Sequence, residues 1–243
     1  MRIACLVIGF LWAASAGAEV LYRLPWADGL AFMFTQVPGG RITTHFTRET
    51  LHALDIAMPE GTAVVAARSG IVEALEARHA ATRDEEPLTF EGNFVRVRHG
   101  DGSTGVYAHL KHRGVAVAVG QAVEAGQLLG YSGASGDVEQ AHLHFAVTRV
   151  ERNSSGWQEA VSVPVKFYVG VPPVPFSPRP AVRAVANYSG AADVPLAPSE
   201  TSLFRWKRPE PEPGGEALAW GLLTAWLACG VAGLAWFWRF WRS

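Results

Sequence analysis

Apolar and polar positions alternate over short distances through much of the middle of the chain. Residues 93–110, NFVRVRHGDGSTGVYAHL, contain two apolar stretches separated by His99-Gly100-Asp101-Gly102. Asp-Gly between two such stretches is a strong signal for a hairpin turn. Residues 62–75 are rich in β-branched side chains, and residues 114–133 contain short apolar runs between closely spaced glycines. No long part of residues 20–168 repeats its apolar positions at helical period, so we predict a mainly β, antiparallel domain.

A further strand is predicted at residues 140–147, QAHLHFAV. Residues two apart in a strand point to the same face, so His142 and His144 share one face. Leu143, Phe145 and Val147 then form a core-facing set on the other face. The shared histidine face is either a solvated strand surface or a metal site, because histidine is the commonest ligand of transition metals.

The N-terminus has the pattern of a secretory signal peptide. Arg2 precedes an apolar run at residues 3–14, and Ala16-Gly17-Ala18 supplies small residues for cleavage after Ala18. We therefore predict a signal peptide at residues 1–18. An N-terminal membrane anchor is the alternative.

The C-terminus has the pattern of a membrane-spanning helix. Residues 217–238 carry no charge, and their length is sufficient to cross about 30 Å of hydrocarbon. The following residues 239–243 include Arg239 and Arg242, which favour a short cytoplasmic tail. Together with the signal peptide, this predicts an exported protein anchored in the cytoplasmic membrane, with its folded domain on the periplasmic or extracellular side.

Between these ends we predict a folded domain at residues 19–187, with a core at about 39–150, and a Pro-rich linker at 188–216. Residues 172–180, PPVPFSPRP, contain five prolines in nine residues, a composition more typical of extended than of packed chain. The alternative is one or two peripheral strands packed on the domain. The apolar residues 20–38 are expected either to cover the core or to fill a groove.

Composition narrows the chemistry available to this domain. The formal net charge of −1 gives no basic surface for nucleic acid. The two cysteines, Cys5 and Cys229, fall in the predicted signal peptide and membrane helix. The exported domain therefore has no disulfide and no cysteine ligand or nucleophile, and a metal bound there would need histidine and carboxylate ligands.

One carboxylate and one further histidine stand out in the apolar segments. Asp55 lies between Leu54 and Ile56, where a charged side chain is unusual unless it has a partner. His109 ends the predicted strand VYAHL. Two histidines and an aspartate, with a fourth position left for water, are a suitable ligand set for catalytic zinc. His79, His99 and His112 are more simply interpreted as turn or solvated histidines.

Three segments resemble the lysostaphin/LytM-type zinc metalloendopeptidases. They are DIAMPEGTAVVAARSGIV, VRVRHGDGSTGVYAHL and GQAVEAGQLLGYSGASGDVEQAHLHFAV, and they follow the order and spacing of that family over roughly residues 39–150. The resemblance implies a small antiparallel β fold with a groove, one Zn²⁺ per chain and hydrolysis of peptide bonds in bacterial peptidoglycan. It also implies that Asp55 and His144 bind the metal, and that His142 and His109 act in catalysis.

The first metal ligand departs from the family pattern of a histidine four residues before the aspartate, because that position is Leu51. His52 lies three residues before Asp55, an odd offset that places the two side chains on opposite faces of an extended segment. His45 lies ten residues before Asp55, an even offset. TTHFTRETLHALDIAMPEGTAV is also similar to a subgroup with the form "SH…yAlDfampeGtpv", in which the ligand histidine precedes a longer loop. Both candidates remain at this point, and we favour His45.

The resemblance implies a zinc metalloendopeptidase that remodels the cell wall, with peptidoglycan peptides as substrate. The alternative is a catalytically inactive LytM-like domain that activates or scaffolds other cell-wall hydrolases, which would then be its partners. Two further alternatives are an enzyme acting on another extracellular peptide, and a structural zinc protein. The latter would need a fourth protein ligand, and cysteine is absent from the domain.

Overall fold

The computed structural model describes residues 19–41, 43–80 and 92–192. The predicted signal peptide, the predicted membrane helix and tail, most of the predicted linker and residues 81–91 lie outside these ranges. No helix within them has the length and apolar character needed to cross a membrane.

The described residues form strands joined by turns and loops. In chain order the strands are β1 (Leu21–Tyr22), β2 (Ala31–Gln36), β3 (Leu54–Ala57), β4 (Ala63–Val65), β5 (Gly70–Glu76), β6 (Asn93–Arg98), β7 (Thr104–Val115), β8 (Ala122–Val123), β9 (Leu128–Ser132), β10 (His142–Arg152), β11 (Gln158–Ser162), β12 (Lys166–Val169), β13 (Val174–Phe176) and β14 (Arg183–Val185).

The strands make one large and one small sheet. The large sheet follows the order β14-β2-β3-β10-β7-β6-β5-β8, with β11 paired to β10 and with β9 paired to both β4 and β7. The small sheet has the order β1-β12-β13, and its β1–β12 pair is parallel. The pairings of the large sheet are antiparallel, including the predicted β6–β7 hairpin. The prediction of a mainly β, antiparallel domain is therefore confirmed.

Aromatic side chains join the two sheets in the core. Phe167 of the small sheet is fully buried and stacks on Phe34 of the large sheet, with ring centroids 5.8 Å apart. Phe145 of β10 lies at the same centroid distance from Phe167. Leu143, Phe145 and Val147 are all 0% exposed, which confirms the predicted core face of β10. That face fixes the orientation of the strand and so directs His142 and His144 away from the core.

The N-terminal segment covers the core. Tyr22, Leu24 and Trp26 are buried there, while Thr35 and Gln36 at the end of β2 line a surface cleft. Covering the core was one of the two roles expected for residues 20–38.

The Pro-rich segment packs as edge strands. β13 pairs with β12 at one edge of the small sheet, and β14 pairs with β2 at one edge of the large sheet. Proline is tolerated at a sheet edge because one side of an edge strand needs no hydrogen-bond donor. Beyond these strands, the hydroxyl of Tyr188 accepts a hydrogen bond of 2.6 Å from the backbone N–H of Leu24. Packing thus continues into the first residue assigned to the linker.

His99 is buried, not solvated. Its side chain is 2% exposed, and its Nδ1 donates to the Ser69 carbonyl at 2.9 Å. Its backbone N–H donates to the Ser103 carbonyl across the turn at 2.7 Å. The interpretation of His99 as a turn histidine therefore holds, but the solvated alternative is wrong.

Strand β7 bulges at His109. Asn93 of β6 pairs with Leu110 and the next residue, Phe94, pairs with Ala108, so the register of the β6–β7 ladder shifts at His109. Its φ is +61°, in the left-handed region that side chains with a Cβ rarely adopt. A bulge of this kind turns a side chain out of the regular alternation and is common beside active sites. The fold therefore holds His109 in a strained conformation.

Replacing His109 by glycine should therefore destabilise the domain less than replacing it by alanine. The expected difference in free energy of unfolding is about 1–2 kcal/mol, the cost of a left-handed residue with a Cβ. Chemical denaturation of the two metal-free variants measures it. The matched control is His142 in regular strand, where alanine should be more stable than glycine by about 0.5–1 kcal/mol. Alanine being the better replacement at both positions would contradict a strained bulge.

Candidate active site

The centre of the site is a cross-strand pair. Asp55 on β3 stands directly opposite His144 on β10 in the antiparallel ladder. Directly opposed side chains of such a pair lie on the same face and close together. Here Nδ1 of His144 is 3.0 Å from Oδ1 of Asp55. Leu54 and Ile56, on either side of Asp55, are buried in the core, so the alternation of β3 turns the carboxylate to the opposite face.

His45 reaches this pair from a loop. Its Nε2 is 3.3 Å from Oδ1 of Asp55, and its ring meets the ring of His144 edge to face, with centroids 4.9 Å apart. One ligand atom from each of His45, Asp55 and His144 lies within 4.8 Å of the other two, and all three residues are buried. His52 does not belong to this group among the described residues; its backbone N–H donates to Ser162 Oγ instead.

The two histidines predicted to act in catalysis lie beside the group. Nε2 of His142 is 3.7 Å from Oδ1 of Asp55, and the side chain of His142 is 20% exposed. The ring of His109 is 4.7 Å from that of His142 and 5.7 Å from that of His144, measured between centroids. The structure thus brings together all five residues singled out from the sequence, with His45 rather than His52 in the first position.

The donor set and its spacing fit a zinc ion. Zinc binds nitrogen and oxygen ligands at about 2.0–2.2 Å, which in tetrahedral geometry separates neighbouring ligand atoms by about 3.3 Å. The observed separations from Asp55 Oδ1 are 3.0 Å to His144 and 3.3 Å to His45. Without metal, the same separations serve hydrogen bonds. Three protein ligands leave one coordination position open, as catalytic zinc sites require.

Opposing effects set the charge of Asp55. Burial raises the pKa of this carboxyl, but hydrogen bonds and charges from His144 and His45 outweigh burial and hold the pKa well below its usual range. Asp55 is therefore ionised at neutral pH, the state in which a carboxylate binds a metal.

Backbone carbonyls orient the two catalytic candidates. Nδ1 of His142 lies 2.9 Å from the Gln140 carbonyl, and Nδ1 of His109 lies 3.0 Å from the Ser135 carbonyl. Because a carbonyl only accepts, Nδ1 carries the proton in both rings, and in the neutral form Nε2 is the basic nitrogen. Burial, followed by the charges of His142 and His144, lowers the pKa of His109 to about 3. His109 is therefore neutral at pH 7.

A buried polar network behind His109 holds the bulge. Ser135 Oγ donates to the Leu110 carbonyl at 2.6 Å and accepts from the backbone N–H of Asn93 at 2.9 Å. The amide of Asn93 also donates to the Leu110 carbonyl at 3.1 Å. Neither Asn93 nor Ser135 was singled out from the sequence. The available signal was the asparagine at the start of the alternating stretch NFVRVR. The structure shows that this asparagine is fully buried.

Two clefts meet at the site. One, of about 490 Å³, is lined by the five site residues together with Thr35, Gln36 and the loop at 137–141. The other, of about 650 Å³, has Val106 and Ala146 among its lining residues, with Phe46, Phe94 and Arg96 beside them. Thr44 and His144 line both clefts. A bound chain could therefore extend to either side of the candidate metal position.

Comparison with known proteins identifies the domain. The family model described as Peptidase family M23 matches residues 49–156. That range includes Asp55, His109, His142 and His144, whereas His45 precedes it.

Two curated relatives come from Vibrio cholerae. Peptidoglycan DD-endopeptidase ShyC is 30% identical over 135 residues, covering 51% of this chain and 28% of the relative. Peptidoglycan DD-endopeptidase ShyA is 33% identical over 115 residues, covering 43% of this chain and 24% of the relative. The match thus spans only about a quarter of the length of these relatives.

Among solved structures, the antimicrobial peptidase lysostaphin from Staphylococcus simulans is 27% identical. The match covers 53% of this chain and 47% of lysostaphin, with a TM-score of 0.39. The family match and the two curated relatives assign residues 49–156 to a peptidase domain of family M23.

Proposed function

We propose that the protein is a zinc-dependent metalloendopeptidase that cleaves peptide cross-links of bacterial peptidoglycan. The observation that carries this proposal is the buried group of His45, Asp55 and His144, which opens onto a cleft beside His142 and His109. The peptidase domain supports peptide-bond hydrolysis. The names of the two Vibrio cholerae relatives support peptidoglycan as the substrate.

Three side chains would hold the metal: His45 through Nε2, Asp55 through Oδ1 and His144 through Nδ1. Bound there, zinc supplies Lewis-acid chemistry, which acidifies water and polarises a carbonyl group. Asp55 contributes the negative charge that offsets part of the charge of the cation.

The proton steps fall to His142 and His109. His142 is the more exposed of the two and presents its basic Nε2 to the site, so it takes the proton from the attacking water. The leaving amine must receive a proton. His109 is neutral with its proton on Nδ1, so any proton that it donates from Nε2 must first reach it from another group, and His142 lies beside it. The proton thus passes from His142 to the amine directly or through His109.

The sequences of the N-terminus and the C-terminus support activity outside the cytoplasmic membrane. A signal peptide at residues 1–18 and a membrane helix at 217–238 would place the domain outside the cytoplasmic membrane, tethered to it and facing the cell wall. Other cell-wall enzymes are candidate partners there.

Zinc content tests the ligand set. We expect about one zinc per chain in the wild-type protein, and zinc at background in each of His45→Ala, Asp55→Ala and His144→Ala, because each change removes one of three ligands. His52→Ala is the matched control and should keep its zinc. Metal analysis after dialysis gives the answer. Zinc retained by His45→Ala and lost by His52→Ala would make His52 the first ligand.

Cleavage of purified peptidoglycan tests the role of His142. We expect His142→Ala to keep its zinc and to release cross-linked peptides about 10²–10⁴-fold more slowly, the usual contribution of a general base. Mass spectrometry of the released peptides measures the rate. His112→Ala, on the same strand as His109 but in neither cleft, should be unaffected.

A His142→Ala variant that cleaves at a near-normal rate would refute the assigned role. A folded wild-type protein that binds no zinc and releases no peptide would refute the enzyme itself. That result would favour the inactive domain that activates other hydrolases.

A further inference from the structure

The three candidate ligands are positioned by different means. Asp55 and His144 are fixed by the ladder between β3 and β10, where they are directly opposed. His45 lies in the segment at 43–53, which precedes β3 and contains no strand. A free loop of this length would hold a ligand in many positions, and fixing each of its residues costs conformational entropy. Something must therefore hold this segment in place.

The second ring nitrogen of His45, Nδ1, does not fix the orientation of the ring through a hydrogen bond to another described residue. Metal-binding histidines almost always donate the other ring N–H to a carboxylate, a carbonyl or water. Nδ1 of His45 is buried and has no hydrogen-bond partner among the described residues. The position of this ring therefore depends on the backbone of the loop that carries it.

Ser162, at the end of β11, fastens that loop. Its Oγ donates to the Arg48 carbonyl at 3.0 Å and accepts from the backbone N–H of His52 at 2.9 Å. Its own backbone N–H donates to the same Arg48 carbonyl at 2.8 Å. Ser162 is 3% exposed, so water does not readily replace these bonds. One hydroxyl thus joins two points of the loop, three and seven residues beyond His45.

The loop is compact between these two points. The hydroxyls of Thr47 and Thr50 lie 2.8 Å apart, and the backbone N–H of Leu51 donates to the Thr47 carbonyl at 2.8 Å. Fixing Arg48 and His52 therefore fixes the whole turn. On the other side of His45, the side-chain oxygen of Gln36 accepts from the backbone N–H of Thr44 at 2.7 Å.

The salt bridges of Arg48 matter less. Arg48 pairs with Glu151 and Glu159 on the β10–β11 hairpin, but its side chain is 55% exposed. Exposed pairs contribute little because solvent screens them. The buried hydroxyl of Ser162 is thus the stronger connection between the hairpin and the loop.

We propose that Ser162 is a positioning residue for the metal site, which sets zinc affinity by holding the loop that presents His45. This proposal rests on the proposed zinc function. Both His45 and Ser162 lie outside the residues matched by the family model, 49–156. The two residues thus form a pair that the family match alone would not identify.

Zinc affinity of the full chain, measured by titration against a chelator, tests the proposal. We expect Ser162→Ala to weaken zinc binding by about 10–100-fold, as the loss of an outer-shell partner typically does. Ser162→Thr keeps the hydroxyl and should recover most of the affinity. Hydrogen exchange on the metal-free protein gives a second measurement, and Ser162→Ala should accelerate exchange at residues 44–52.

Ser132 supplies a matched control. It is also fully buried, and its Oγ donates to the Pro59 carbonyl and accepts from the backbone N–H of Thr62 across a different turn. Ser132→Ala removes the same two kinds of hydrogen bond without touching the His45 loop. Its zinc affinity should remain within about threefold of the wild-type value, well short of the loss expected for an outer-shell partner.

The outcomes separate the two proposals. If wild type binds zinc and Ser162→Ala binds it equally well, the positioning role is overturned while the zinc function stands. An equal loss in Ser132→Ala would also overturn it, because the effect would then be general destabilisation. If wild type binds no zinc, the proposed function fails together with the role of Ser162 in zinc affinity, and hydrogen exchange then tests only whether Ser162 holds the loop. Unchanged exchange at 44–52 would overturn the hold on the loop, and faster exchange would support it.

Discussion

The antiparallel register of β3 against β10 is the constraint on which the rest of the site depends. It sets Asp55 opposite His144, with their polar atoms 3.0 Å apart. A shift of one residue in that register would turn the carboxylate into the core and Leu54 or Ile56 out of it. Burying the carboxylate in the core and exposing an apolar side chain are both strongly unfavourable. The core is filled by Leu143 and Phe145 and by the two apolar residues that flank Asp55. These four side chains also fix which side chains meet on the other face of the sheet.

This arrangement buries the negative charge of Asp55, and the surrounding side chains compensate that charge. An ionised carboxylate in a buried position needs partners, because removing it from water is costly. His144 and His45 supply them, and their hydrogen bonds and charges overcome the effect of burial on the pKa of Asp55. A cation bound at the same place would serve the carboxylate in the same way. The interactions that stabilise the buried Asp55 carboxylate without metal therefore also keep it in the ionised form that a metal would bind.

Some of the site could be predicted from the sequence, and particular residues show why. The H-x-H pair and the Asp-Gly hairpin follow from the two-residue period of strands, which is local, so β10 and β6–β7 were foreseen. His45 was favoured partly because its offset from Asp55 is even, yet the intervening residues form a hydrogen-bonded turn in which a strand period has no meaning. The favoured residue is the one found beside Asp55, but the even offset does not explain its position. Asn93, Ser135 and Ser162 were not foreseen, because their roles depend on contacts between distant parts of the chain.

The candidate site therefore combines two ways of placing the side chains that we propose as metal ligands. A ladder places Asp55 and His144 with little freedom, because each is fixed by the hydrogen bonds of its own strand. A loop places His45, and the number of residues between His45 and Asp55 can then change without disturbing the ladder. That tolerance has a cost in conformational entropy, which grows only slowly with loop length but must be offset by contacts that the ladder does not provide. In this chain those contacts come from Gln36 on one side of His45 and from Ser162 on the other. An unusual spacing in the first motif and a buried serine far along the chain are, on this argument, two parts of one structural solution.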